Sequence, residues 1–236
     1  MSSQESLIER FFEALVNGDR PAARAIVAEA SRANAPSHAM ITDLFWPTYE
    51  MVERLHRSDQ LTTLSYHFAT RLLRVLTDQA AQRLRLTGQN TGRTILALSG
   101  PSDADDLGAQ MAVDLLESSG FQVTFAGGGV PCDEVMSYVN NNQPDVLLMF
   151  ASAPSDLPEI RAVIDALNEI GAARKTQIVV GGGVFNRAEG LAEEIGADLW
   201  ANNPLDLVES LVHDAHERAA PAQRTVGQKR KLREAA

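Results

Sequence analysis

The strongest constraint on the fold lies in residues 93–218. Apolar, β-rich runs at 94–98, 121–125, 145–150 and 177–180 alternate with helical stretches near 105–119, 132–142, 156–171 and 187–195. A weaker run at Ala197–Ala201 is followed by a helix from Pro204 to about Arg218. Strands separated by helices cannot pair as tight hairpins; each crosses over to a parallel neighbour, and the resulting sheet is covered on both faces. The predicted fold is α/β, a flavodoxin-like five-stranded parallel sheet with helices on both faces.

The first 86 residues have another period. Ser2 and Glu5 form a capping-box pattern ahead of Leu7, Ile8, Phe11, Phe12 and Leu15 at helical spacing. Asn17-Gly18 ends that helix. Asp19 and Pro21 start a second, carrying Ala22, Ala25, Ile26 and Ala30 on one side. A third runs from about Ser37 to Leu55 with Met40, Ile41, Leu44, Phe45, Val52 and Leu55 on its apolar face, and Pro47 inside it is predicted to kink or restart the helix. A fourth, from about Leu61 to Leu84, presents Leu64, His67, Phe68, Leu72 and Val75. These four predict an N-terminal four-helix bundle over residues 1–86. The small, polar TGQNTG at 87–92 marks the boundary, the second domain spans 93–218, and 219–236 is a basic, solvated tail.

Net charge limits the partners. At −10 the chain has no concentrated basic face for phosphates, so direct nucleic-acid binding is not expected. One cysteine, Cys132, rules out an internal disulfide and any multi-cysteine zinc site. The N-terminus lacks the pattern of a signal peptide, and no apolar run approaches the length of a membrane span. A cytoplasmic location without membrane contact is expected.

In a parallel sheet the loops after the strands share one edge, and ligands bind there. Here these are Ser99–Gly108, Gly127–Pro131, Ala151–Ser155, Gly181–Asn186 and Asn202–Pro204. Two contain triple glycines, which allow positive φ and the close approach of a ligand or of another backbone. Neither follows a phosphate-loop pattern. The acids Asp103, Asp105 and Asp106 suit either Mg²⁺, as in phosphate-receiver domains, or the start of the next helix and its dipole. Strand three ends Met149, Phe150, Ala151, Ser152, without the aspartate a receiver phosphorylates. His38, His213 and His216 lie at polar positions. His56 and His67, eleven residues apart or about three helical turns, are expected on the core side of the bundle or facing the neighbouring domain.

The order of parts resembles the cobalamin-binding modules of methionine synthase, corrinoid shuttle proteins and light-sensing transcriptional regulators, over about residues 5–215. SLIERFFEALVNGDRPAARAIVAEA and TLSYHFATRLLRVL look like the family's first, second and fourth helices. The family's DxHxxG, SxL and GG elements fall on Asp103 to Gly108, Phe150 to Ser152 and Gly181-Gly182. The resemblance implies a cobalamin between bundle and sheet, its nucleotide tail threaded into the α/β domain and the motif histidine on cobalt from below. In this chain that histidine is Asp105, and the SxL serine is Phe150. A carboxylate is a poor substitute for imidazole on cobalt, and Asp103 loses the ring it would orient. Light-sensing members carry a Trp, nine other residues and a Glu-His pair above the upper face; here His56, Tyr66 and His67 take those places.

Three functions are compatible with these residues. One is a regulatory or sensor protein, acting in transcription regulation or signalling, that binds a corrinoid or another tetrapyrrole without a lower histidine. Its candidate cofactor site is His67, His56, Asp103, Asp105, Gly108, Phe150, Ser152, Gly181 and Gly182, with His67 the candidate metal ligand. The second is a ligand-free descendant that serves as an interaction module. The third, placed last because of Asp105, is a corrinoid methyl carrier for a methyltransferase. No nucleophile, base and orienter stand at a recognisable spacing, so an enzyme is not expected. A regulatory protein partner is expected, and leftover apolar faces make a homo-oligomer a further expectation.

Overall fold

A computed structural model describes residues 3–32, 38–86, 90–100, 103–171 and 175–218. The basic tail, residues 87–89 of the boundary and Ser2 of the capping box lie outside the described residues. The chain packs as two compact units, one gathering residues 1–91 with 102–121 and the other 92–101 with 122–236.

The helical unit contains α1 (Ser3–Val16), α2 (Arg20–Arg32), α3 (Trp46–Arg57), α4 (Thr63–Ala81) and α5 (Asp103–Ser118). Asp19 Oδ1 accepts from the Ala22 amide at 2.9 Å, starting α2 as its sequence predicts. Pro47 does restart a helix: a π-helical turn at Met40–Phe45 runs into α3, with the proline in the first turn of α3. Proline has no N–H to give the Asp43 carbonyl four residues back, and that carbonyl accepts instead from Gln4 Nε2 at 3.4 Å. The wide turn also swings Phe45 inward, where its ring stacks on Phe11 at 5.6 Å with both residues fully buried.

The buried side of α4 differs from the expected one. Leu64 and Phe68 are 63% and 42% exposed and His67 is exposed, while Ala69, Leu72, Leu73 and Leu76 are buried. Thr62 caps α4 by accepting from the Ser65 amide at 3.2 Å. The helix therefore starts two residues after Leu61, and its large N-terminal side chains sit on the outer side.

The second unit holds the sheet, with β1 (Thr94–Leu98), β2 (Gln122–Gly127), β3 (Val146–Phe150), β4 (Gln177–Gly181) and β5 (Leu199–Ala201). All pairs are parallel in the order β2-β1-β3-β4-β5, the flavodoxin-like arrangement expected. One face, Leu96, Leu98, Leu147, Met149, Ile178 and Val180, packs into a core with side chains of α6 (Cys132–Asn142), α7 (Leu157–Glu169), α8 (Gly183–Arg187) and α9 (Leu191–Ile195). The 187–195 stretch is not one helix: Gly190 at φ +78° separates α8 from α9. The last helix, α10 (Pro204–His213), is capped by Asn203, whose Oδ1 accepts from Leu205 and Asp206 amides at 3.0 Å each. Its far end is clamped to the sheet, since Gln177 Nε2 donates to the Asp214 and Glu217 carbonyls at 2.9 and 3.2 Å.

Candidate functional site

The carboxyl edge of the sheet contributes Phe150, Ser152, Gly181 and Gly182. Phe150 pairs with Gly181 in the β3–β4 register, and a Cβ on Gly181 would lie 3.2 Å from the Phe150 ring. The phenyl group is half-buried. At Gly182, φ is +102° and a Cβ would lie 2.3 Å from the Ala151 carbonyl oxygen. What approaches this glycine is the backbone of the neighbouring loop, not free space for a ligand. Arg187 Nη2 then donates to the Ser152 carbonyl at 2.6 Å and ties α8 to the same loop. A cleft of about 420 Å³ opens on the α6–α7 side of this edge, between the Gly127–Pro131 loop, Phe150 and Asp156.

The remaining sequence-derived positions lie on α3, α4 and α5 of the helical unit. Asp103 opens α5, and its side chain lies outside the described residues. Asp105 is 5% exposed. Asp106 pairs with Arg74 of α4 at 3.5 Å, and Gln110 bonds both Asp78 and Arg74. Gly108 is buried against Tyr49 of α3: a Cβ there would lie 2.9 Å from Tyr49 Oη and 3.3 Å from its ring. Helix α5 thus rests directly on α3 and α4, and glycine at 108 permits the contact.

Between α3 and α4, Tyr66 Oη donates to Glu53 Oε1 at 2.7 Å and Arg57 approaches the other carboxylate oxygen at 3.4 Å. His56 stacks on Tyr66 at 3.8 Å, whereas His67 is exposed with its ring 6.1 Å from that of Tyr66. The expectation that both histidines face inward holds only in part for His56, which is half-buried, and fails for His67. Burial pushes the Glu53 carboxyl above its ordinary range against its bonds from Tyr66 and Arg57, and Asp105 adds to the rise. Burial, followed by Glu53, pushes the Tyr66 hydroxyl up too, again with a contribution from Asp105. Asp105, Glu53, Tyr66 and His56 are therefore one electrostatic group.

Tyr49, Glu53 and Arg74 escaped the sequence reading. Tyr49 and Glu53 continue the apolar face of α3 at i, i+4 spacing, but a hydropathy pattern assigns a glutamate to solvent. Here the glutamate is 7% exposed.

A second carboxylate group lies lower on α5. Burial, then Glu117 and Asp78, push the Asp114 carboxyl up to about 7, and one of its oxygens is buried without a hydrogen-bond partner among the described residues. An acid whose folded pKa exceeds its unfolded value favours folding while protonated, and that advantage is lost as pH rises through about 7. From pH 5 to 8 the helical unit is expected to lose on the order of 1–2 kcal/mol, a figure discounted for partial exposure. Asp114→Asn should flatten this dependence in urea melts at the two pH values; an unchanged slope would show that Asp114 does not set it.

These contacts bear on whether a corrin fits. The family resemblance puts Asp105 and Gly108 below the ring and His56, Tyr66 and His67 above it. In the helical unit Tyr49 packs on Gly108, and Asp105 adds through space to the raised pKa values of Glu53 and Tyr66. Position 105 supplies no imidazole. The residues do not fit the cofactor in this arrangement of α3, α4 and α5. None of the described helices is long and apolar enough to cross a membrane.

Comparison with known proteins gives the group. Residues 7–79 and 93–209 each match a model described as a B12 binding domain. Dimethylamine corrinoid protein 3 of Methanosarcina mazei is 31% identical over 45% of this chain and 62% of its own length, so the match spans under two-thirds of that relative. Dimethylamine corrinoid protein 1 of the same organism is 25% identical over 88% of this chain and 95% of its own. The monomethylamine corrinoid protein of Methanosarcina barkeri, 18% identical, superposes with a TM-score of 0.75 over 89% of this chain and 99% of that one, which is a likeness of fold. With residues 7–79 of the helical part and 93–209 of the α/β part each matching a B12 binding domain, the chain belongs to the family of cobalamin-binding modules.

Proposed function

We propose that this chain is a corrinoid-binding protein that presents its cofactor to a partner methyltransferase and holds it without an axial histidine. The observation that carries this is the match to dimethylamine corrinoid protein 1, which runs through both the helical domain and the B12-binding domain instead of stopping at one of them. The regulatory and sensor reading finds no support among these relatives. In this proposal the chemistry belongs to the partner, and the chain is a carrier and not itself an enzyme. Asp105 is the departure to be explained: its hard, short carboxylate leaves cobalt without the imidazole that the motif ordinarily supplies.

A second reading, a cofactor-free interaction module, is favoured by one feature, the direct contact of Tyr49 with Gly108. Absorbance spectra separate the two. The purified chain is incubated with hydroxocobalamin, and separately with haem, then passed through a desalting column. Retained cobalamin, with a spectrum altered by Asp105→His, is the expected result. Haem retention lost on His67→Ala would point to another tetrapyrrole. Retention of neither leaves the interaction module.

A further inference from the structure

In the α/β unit, Leu98 and Met149, the last residues to pair β1 with β3, line the cleft of about 420 Å³ that opens beside α6 and α7. Strand order reverses at this pair, because the chain leaves β1 for β2 on one side and β3 for β4 on the other, and the loops that follow part above it. The walls are apolar, with Val135 of α6 and Ile160 and Val163 of α7 buried along them. At the rim, Gly129 has φ +73° and a Cβ there would meet nothing within 4 Å, so the glycine loop leaves the mouth open. The charge of this lining has one sign. Asp156, 8% exposed, and Glu159, exposed, stand one turn apart where α7 begins, and the described lining holds no lysine, arginine or histidine. Asp156 Oδ2 accepts from the Ala153 amide at 3.1 Å and Oδ1 from Ser155 Oγ at 3.2 Å, both neutral donors. It makes no ion pair among the described residues.

We propose that this cleft binds a small organic cation, an ammonium group on an apolar body, with the charge toward Asp156 and Glu159 and the body against Leu98, Met149 and Val135. A carboxylate held so far out of water keeps a lone pair on each oxygen for a further donor, and a cation stabilises it most. An anionic ligand would meet two like charges, and a neutral one would leave Asp156 without a counter-charge. The positive end of α6 does not reverse this preference, since Asp133 and Glu134 occupy its first turn. The volume falls in the range of small-molecule sites, and the pattern of apolar walls with a few polar groups at one end is theirs too. The site lies wholly within the α/β unit and is independent of the corrinoid-binding reading.

The test uses two fluorescent probes with one ring system and opposite charge, dansylcadaverine and dansyl-6-aminohexanoate, whose emission rises and shifts to the blue on burial. Dansylcadaverine is expected to saturate at one per chain and to bind at least about tenfold tighter than the carboxylate probe, a preference that Asp156→Asn largely removes. Cys132, the one cysteine of the sequence, is half-buried in the same lining, so its alkylation by iodoacetamide reports occupancy. Saturating dansylcadaverine is expected to slow that alkylation several-fold. Ala162→Trp, at an exposed position of α7 on the lining, is expected to weaken dansylcadaverine about tenfold with far-ultraviolet circular dichroism unchanged. Equal affinity for the two probes, or no saturable binding of dansylcadaverine, overturns the proposal. Saturable binding that neither slows alkylation of Cys132 nor responds to Ala162→Trp lies elsewhere on the chain and overturns it as well. If Asp156→Asn misfolds, Glu159→Gln at the exposed rim replaces it, and an unchanged ratio of the two affinities overturns the charge assignment. Retention of hydroxocobalamin tests the corrinoid reading separately, and none of these outcomes alters it.

Discussion

Gly182→Ala is expected to lower stability by about 3–5 kcal/mol, combining the cost of a non-glycine residue at positive φ with a clash that side-chain movement cannot relieve. The backbone there has φ +102°, and the added Cβ would meet backbone atoms of Ala151: its carbonyl oxygen at 2.3 Å, and its carbonyl carbon and nitrogen at 2.9 Å each. Ala151 is not free to retreat. Its amide donates to the Gly181 carbonyl at 3.0 Å and its carbonyl accepts from Val184 at 3.3 Å, so the β3 and β4 loops are knitted at this point. Gly190→Ala is the control, with a similar φ of +78° and nothing within 4 Å of the new atom; its cost should be about 1 kcal/mol, the conformational part alone. Urea midpoints of the two variants read the difference. Equal midpoints would show that close approach contributes nothing and that only the dihedral matters.

Phe11→Ala is expected to cost the helical unit about 3–5 kcal/mol, the range for removing a large aromatic from a packed interior. Phe11 is fully buried and stacks on Phe45, itself fully buried at the end of the π-helical turn that feeds α3. Its loss therefore undermines the placement of α3 as well as the packing of α1. Phe12→Ala, at a half-buried neighbour on the same helix, should cost less than half as much because less contact is lost. Thermal melts followed at 222 nm distinguish the two, and similar shifts would show that Phe11 is not central to this core. With α3 loosened, Tyr49 should also sit less firmly on Gly108.

Much of the architecture was legible because it depends on local pattern. The expected strand at 94–98 and helix at 132–142 coincide with β1 and α6, since continuous apolar runs and amphipathic segments are set within a few residues. Pro47 announced a restart because a missing N–H acts locally, wherever the helix goes next. The errors came where neighbours decide. Leu64 and Phe68 are large and apolar and were assigned to the buried face of α4, yet Ala69 and Leu73 occupy it, because α1 and α3 lie on that side. The single helix expected at 187–195 breaks at Gly190, where a positive φ turns the chain between α8 and α9.

The candidate site divides in the same way. By itself, the sequence determined the parallel α/β sheet, its order, the helical domain before it, the glycines at the carboxyl edge and the replacement of a motif histidine by Asp105. Those follow from periodicity, turn chemistry and residue identity, all carried by neighbours in the chain. Only the tertiary structure decided that Gly182 makes room for the Ala151 backbone, that His67 faces outward, and that α5 lies on α3 and α4 through Tyr49 and Gly108. Those contacts join residues far apart in sequence, some 59 positions in the case of Tyr49 and Gly108, and no local pattern encodes which distant side chain a glycine will meet.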